Sequence, residues 1–176
     1  MSVASPKARV VVMLVSGLSY LSALPMPALL FSGHPPVMGI TTLLWGWWGV
    51  LTGDVPWFAN LLYFLALGLV FLRFYKSAQL LSALALTFGC SSLYVRQWFF
   101  NEAGGTPVIG LGLAFYLWMA SFALLLVGSI GLYWLNLQTA ADLASRSGNP
   151  REQDKLPGPT APPVIHQLGS EKNPKR

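Results

Sequence analysis

Long apolar runs, separated by short polar or proline-containing segments, fill the chain between Val10 and Leu135. They begin at residues 10, 37, 57, 77 and 107. Most approach the roughly 20 apolar residues that a membrane-spanning helix needs. Only five formal charges fall in 10–135, all at the ends of runs. The pattern predicts an all-α fold, an integral membrane bundle of four to five membrane helices.

The segment 37–53 decides between four and five crossings. It is short for a span and contains threonines, three tryptophans and four glycines. If it is re-entrant or interfacial, four helices cross, and the bases of the N-terminus, of 73–76 and of the tail share one face, as the positive-inside rule favours. If it crosses, there are five spans and the bases are divided between the two faces. Both alternatives stay open at this point.

The two ends of the chain differ from the apolar domain 10–135. Residues 1–9 are polar and basic, and we expect them to be cytoplasmic and to lead into an uncleaved first helix, since no good signal-peptide cleavage site follows. Residues 136–176 hold ten charges, six prolines and no aromatic residue. Such a polar, proline-rich tail is expected to be disordered, and its first residues are a candidate extension of the last helix.

Composition supports a membrane protein. Of 176 residues, 54% are hydrophobic and 10% charged, whereas soluble domains average about 45–50% and about 25%. These values exclude a disordered protein and most soluble enzymes, and the single cysteine, Cys90, excludes an internal disulfide. The net charge of +5 comes from bases at run ends and in the tail rather than from a basic face. We therefore expect no nucleic-acid partner.

The candidate functional residues form a polar rim at the outer ends of the runs: His34, Asp54, Arg96 and Glu102, with Asn101 beside them. His34 joins this rim only in the four-crossing topology. A rim of this kind can bind a head group, peptide or anion, with Arg96 holding the anion. The alternative is structural: Asp54 caps a helix beginning near Val55–Pro56, and Arg96 and Glu102 form a surface ion pair worth little energy.

Sequence motifs for catalysis are missing. The chain has no HExxH, no phosphate-binding loop and no credibly spaced Ser/His/Asp set. Its second histidine, His166, lies in the tail, so a two-histidine metal site is not expected. We therefore expect no catalytic residues, no cofactor and no bound metal, and interpret the chain as not an enzyme.

Two further features bear on helix packing. Ala78/Ser82 and Ala85/Gly89 place small residues four apart, which predicts a packing stripe on one helix. Tyr116 and Trp118 lie near the middle of the last run, where their polar atoms need partners, and Ser121 is a candidate partner.

Three stretches carry a family resemblance: LWGWWG (Leu44–Gly49), WFANLLYFLAL (Trp57–Leu67) and GGTPVIGLGLAFYLWMASFALL (Gly104–Leu125). Together they resemble small polytopic bacterial inner-membrane proteins that have no assigned activity, over roughly Leu24 to Val127. The resemblance implies a multi-pass protein of the bacterial inner membrane, and the positive-inside rule predicts that the tail lies in the cytoplasm. It implies no activity, cofactor or site residue.

The functional expectation is a non-catalytic integral membrane protein that acts through interaction or assembly. Its expected partners are the lipid bilayer and another membrane protein or a second copy of itself. The alternative is a small transporter or channel component, in which the segment containing Thr41, Thr42 and Gly46 lines a pore.

Overall fold

The structure, a computed structural model, describes residues 6–52, 55–100 and 104–147. The chain divides into a first compact unit, Met1–Ala141, and a second, Asp142–Arg176, of which residues 142–147 are described. The elements, in chain order, are α1 (Pro6–Ala23), β1 (Pro27–Phe31), β2 (Val37–Met38), α2 (Gly39–Trp45), a 3₁₀ helix (Gly46–Thr52), α3 (Phe58–Phe71), α4 (Tyr75–Cys90), a second 3₁₀ helix (Ser91–Tyr94), β3 (Gln97–Phe99), β4 (Gly105–Leu111) and α5 (Leu113–Ser147).

A four-stranded antiparallel sheet in the first unit combines β1 and β2, from the beginning of the chain, with β3 and β4, which precede α5. Its strand order is β2-β1-β4-β3, so the central pair is formed by strands far apart in sequence. Leu29 of β1 lies opposite Leu111 of β4, and Trp98 of β3 lies opposite Thr106 of β4. The fold is therefore mixed α/β, and the prediction of an all-α protein is wrong.

The strands could not be predicted from the sequence pattern because they lie within the same apolar runs as the helices. A continuous apolar stretch does not distinguish a buried strand from a buried helix by its periodicity. The prolines at 25 and 27 end α1, and the run continues as β1. Pro107, the flanking glycines and the β-branched Val108 and Ile109 likewise favour a strand over a helix before Leu113.

One helix of the described residues is both long and apolar enough to cross a membrane. It covers Leu113–Ser145, with 33 residues, and its most apolar 18-residue window has a mean hydropathy of 2.0. By contrast, α3 has 14 residues and α4 has 16, short of the roughly 20 needed. The helix α1 has 18 residues and starts with two bases. The prediction of four to five membrane helices is wrong, because strands, turns and 3₁₀ helices take up part of the other runs and the run 57–72 is itself too short.

The segment 37–53 forms no long helix. Its described part consists of β2, the seven-residue α2 and a seven-residue 3₁₀ helix. Seven α-helical residues extend only about 10 Å, against a hydrocarbon core of about 30 Å. The alternative in which this segment crosses as a fifth helix is therefore wrong.

The two ends of the chain are described only in part. The last helix continues through 136–147, as its sequence suggested. The rest of the predicted tail, 148–176, and residues 1–5 lie outside the described residues. Cys90 is exposed at the end of α4.

The stripe of small residues on α4 is confirmed as a packing face. Ala78, Ser82, Ala85 and Gly89 are all buried. A Cβ at Gly89 would come within 2.5 Å of the sulfur of Met119 on α5. The small side chains thus let α4 approach its neighbours closely.

A tight reversal at Arg73 connects α3 to α4. The Phe74 amide donates to the Leu69 carbonyl and the Arg73 amide to the Val70 carbonyl, at 2.9 and 3.1 Å. This pair of hydrogen bonds is the Schellman ending of a helix, which requires a left-handed residue at the position of Arg73. The φ angle of Arg73 is 69°, in the region that favours glycine.

We expect Arg73→Gly to raise the free energy of unfolding by about 1 kcal/mol, because it relieves the left-handed strain of a side chain with a Cβ. Lys76→Gly is the control matched for charge: it also removes one positive charge, but lies in the first turn of α4, where glycine lowers stability by up to about 1 kcal/mol. Denaturation in detergent measures both. Equal destabilisation by the two variants would contradict the assignment.

Candidate functional site

A hydrogen-bonded cluster joins three helices at the end of the bundle nearest the sheet. Asn60 of α3 accepts two hydrogen bonds at its Oδ1, from the Tyr20 hydroxyl of α1 and from the Trp118 indole N–H of α5, each 2.8 Å long. The Asn60 Nδ2 donates to the Trp57 carbonyl at 3.1 Å. Asn60 and Tyr20 are buried. One amide thus satisfies a buried donor and a partly buried donor at once.

A second polar layer lies one helical turn deeper. The Ser16 hydroxyl donates to the Ser121 carbonyl at 2.8 Å and lies 2.9 Å from the Tyr63 hydroxyl. The Tyr63 ring stacks on Tyr20, with centroids 4.9 Å apart and an interplanar angle of 3°. Phe122 packs on Tyr63 from the other side and is fully buried. The bundle is closely packed below the upper cluster.

The segment after β2 is anchored above this cluster. The Ile40 amide donates to the Leu24 carbonyl at 2.9 Å. The indole N–H of Trp57 donates to the Leu43 carbonyl at 2.8 Å. Gly46 lies against the same Trp57 ring, where a Cβ would come within 3.0 Å. The α2 segment is thereby held beside the sheet, over the start of α3.

A partly open cavity of about 700 Å³ lies between α2, the sheet and the ends of α1, α3 and α5. Its described lining residues carry no charge. The hydrogen-bonded cluster of Tyr20, Asn60 and Trp118 supplies polar atoms, and large aromatic side chains form much of the rest. The aromatic residues include Trp45, Trp48, Trp57, Trp98, Phe99, Phe100 and Phe115. A mostly apolar concavity with a few convergent polar groups is the usual form of a small-molecule site.

Of the predicted rim, His34 and Arg96 fall on described residues, and both are exposed beside the sheet. The His34 ring stacks on Phe100, with centroids 5.7 Å apart. Arg96 immediately precedes β3, and its carbonyl accepts from β4. Asp54 and Glu102, like Asn101, lie outside the described residues. The four-residue rim therefore stays a prediction, and neither His34 nor Arg96 lines the cavity.

The cavity and its Asn60 centre were not predicted from the sequence. Ser121 was the predicted partner of the Trp118 indole N–H, but this N–H donates to Asn60 instead. The Ser121 hydroxyl donates to the Trp118 carbonyl at 2.6 Å. Tyr116, also expected to face the bundle, is 61% exposed. The sequence does contain one indication of this polar cluster, because Asn60 is the only amide side chain in the apolar run 57–72.

In 6–52, 55–100 and 104–147, no three His, Cys, Asp or Glu residues lie close enough to hold a metal ion. No protein-family model, curated protein or solved structure matches the chain. Its function must be inferred from the geometry of the cavity and of the molecular surface.

Proposed function

We propose that this chain is an integral membrane protein that acts without catalysis, through interaction or assembly within the membrane. The observation that carries the proposal is the distribution of side chains in the helical bundle. Large apolar residues face outward, while serines, an asparagine and tyrosines are buried. Water favours the opposite arrangement, and lipid tolerates this one.

The helix α1 shows the distribution most clearly. Its exposed apolar residues recur with helical spacing and are between 47% and 63% exposed: Val10, Val11, Leu14, Val15, Leu18 and Leu21. Ser16 and Tyr20 point the other way and are buried. On α5, the most apolar window is only 28% buried, unlike the core helix of a soluble protein. Monomeric soluble proteins rarely expose apolar surface this extensively.

The bases of the bundle support one orientation. Arg9 donates to the Phe71 carbonyl at 3.1 Å, and Lys76 lies over the Tyr133 ring at 5.3 Å. These contacts place the start of α1, the end of α3 and the start of α4 at one end, together with Arg73. This end lies opposite the sheet. By the positive-inside rule, it faces the cytoplasm.

The finer localisation is part of the same proposal: a bacterial inner membrane, with the sheet outside and the C-terminal tail in the cytoplasm. Multi-pass insertion rests on the apolar faces that α1 and α3 expose beside α5, not on helix length. Such faces need lipid or a partner to cover them. A second membrane protein or another copy of this chain is the proposed partner.

The transporter alternative has less support. Thr41, Thr42 and Gly46 do line the cavity, as a pore-lining segment would. Below the cavity, however, Tyr63, Phe122 and Leu125 are at most 1% exposed and fill the bundle. A path through a single chain would have to displace this packed layer.

Single-cysteine labelling tests the orientation. In a Cys90→Ser background, Arg96→Cys lies at the sheet and Gln138→Cys on the exposed surface near the other end of α5. We expect a membrane-impermeant maleimide to label Arg96→Cys in intact spheroplasts, and Gln138→Cys only in inverted vesicles. Labelling of both from the same side would contradict the proposal.

A further inference from the structure

We propose that the 700 Å³ cavity is a binding site for a single-chain lipid with an uncharged hydroxyl head group. The inference rests on the proposed membrane location and extends it by naming a ligand class. Three properties of the cavity select this class: the hydrogen-bonding capacity of the polar cluster, the size of the space and the character of its rim.

The hydrogen-bonding capacity of the cluster fits a hydroxyl. Oδ1 of Asn60 already accepts two hydrogen bonds, and one Nδ2 hydrogen is donated to Trp57. The second Nδ2 hydrogen and a lone pair on the Tyr20 hydroxyl are the remaining capacity of this cluster. A ligand hydroxyl can accept from Asn60 and donate to Tyr20 at the same time.

A charged head group fits poorly. The described lining residues include no Lys, Arg, His, Asp or Glu. Transfer of an ion into such surroundings, without a counter-charge, is strongly unfavourable. Phosphate head groups are therefore disfavoured at the polar cluster.

The size of the cavity fits one chain. At about 30 Å³ for a group the size of a water molecule, a 700 Å³ space holds on the order of 20 carbon-sized groups. This suffices for one acyl chain with a small head group. A lipid with two long chains needs about twice that space.

The rim gives such a ligand access from a bilayer. Trp45 and Trp48 line the cavity and are also 58% and 51% exposed. Exposed tryptophans favour the boundary between head groups and acyl chains. A lipid can therefore enter past them and place its hydroxyl at Asn60, with the chain against the aromatic walls.

Native mass spectrometry of the full chain in detergent tests the site with 1-palmitoylglycerol as the probe. We expect one bound molecule per chain. Hexadecyl phosphate, with the same chain length, should bind at least about tenfold more weakly, because its negative charge is not compensated. Thr41→Phe, which places a ring in the cavity, should weaken palmitoylglycerol binding at least about tenfold, since the ligand and the ring compete for space. Thr87→Phe makes the same substitution on the exposed face of α4 and should leave binding unchanged.

Failure to bind one palmitoylglycerol would overturn the site, as would equal binding of the two head groups. Equal binding by Thr41→Phe and Thr87→Phe would also overturn it. If Thr41→Phe does not fold, the head-group comparison on the unmodified chain still decides. Flotation of the same preparation with phospholipid vesicles separates the two proposals: a chain that floats but does not bind contradicts the site alone, whereas a chain that stays in solution contradicts the membrane location and the site with it.

Discussion

Replacing Asn60 with leucine is expected to lower the free energy of unfolding by about 2–4 kcal/mol, because one buried donor and one partly buried donor lose their acceptor at once. Those donors are the Tyr20 hydroxyl and the Trp118 indole N–H, which both bind Oδ1. Leucine has the same branched arrangement of four side-chain heavy atoms as asparagine but cannot accept a hydrogen bond, so both donors are left without their acceptor. Denaturant unfolding in detergent, followed by circular dichroism, measures it.

Two variants show whether the orphaned donors cause the loss. Leu61→Ala changes the exposed neighbour on α3 and should alter stability by no more than about 0.5 kcal/mol. Adding Tyr20→Phe to Asn60→Leu removes one orphaned donor, and should recover part of the lost stability. If Tyr20→Phe lowers the stability of the Asn60→Leu variant by as much as it lowers the stability of the unmodified chain, the two effects are additive and the cluster does not act as a unit.

Gly112→Ala is expected to lower stability by about 1–3 kcal/mol or more, because overpacking against main chain cannot be relieved by a rotamer change. A Cβ at Gly112 would collide with the Pro27 carbonyl oxygen of β1. The Gly112 amide also donates to the Ala28 carbonyl at 2.9 Å. The collision would separate β1 from the start of α5. Thermal unfolding monitored by circular dichroism checks the expected loss.

The matched control is Gly17→Ala in the middle of α1, where no atom lies within 4 Å of the new Cβ. It should raise stability by up to about 1 kcal/mol, since alanine favours a helix over glycine. A similar response to alanine at 17 and at 112 would contradict the close contact between β1 and the start of α5.

The helices were easier to predict than the strands, for a physical reason. The run 57–72 is uniformly apolar and bounded by breakers, and α3 occupies Phe58–Phe71 within it. The run 107–135 has no polar boundary between Leu111 and Leu113, where β4 gives way to α5. The β-branched Val108 and Ile109 give that stretch a weak local preference for a strand, but its long-range pairing with β1 leaves no local signal.

The candidate site shows the same limit. The sequence-based prediction of a site relied on ionisable side chains such as His34 and Arg96, and both are exposed in the structure. The cavity instead depends on uncharged side chains from α1, α3 and α5 that meet only after folding. Asn60 was the one local indication, because an amide in an apolar run needs buried partners. Which residues form hydrogen bonds with the Asn60 amide is determined by the tertiary structure alone.

Spin-label accessibility at position 127 tests the membrane location most directly. Val127 is 68% exposed on α5, within the apolar part of that helix. In a Cys90→Ser background, a nitroxide at Val127→Cys in phospholipid vesicles should be relaxed more by oxygen, which concentrates in lipid, than by a water-soluble nickel complex. A label at Gln138→Cys should show the reverse preference. Stronger relaxation by nickel than by oxygen at position 127 would contradict a lipid-facing bundle.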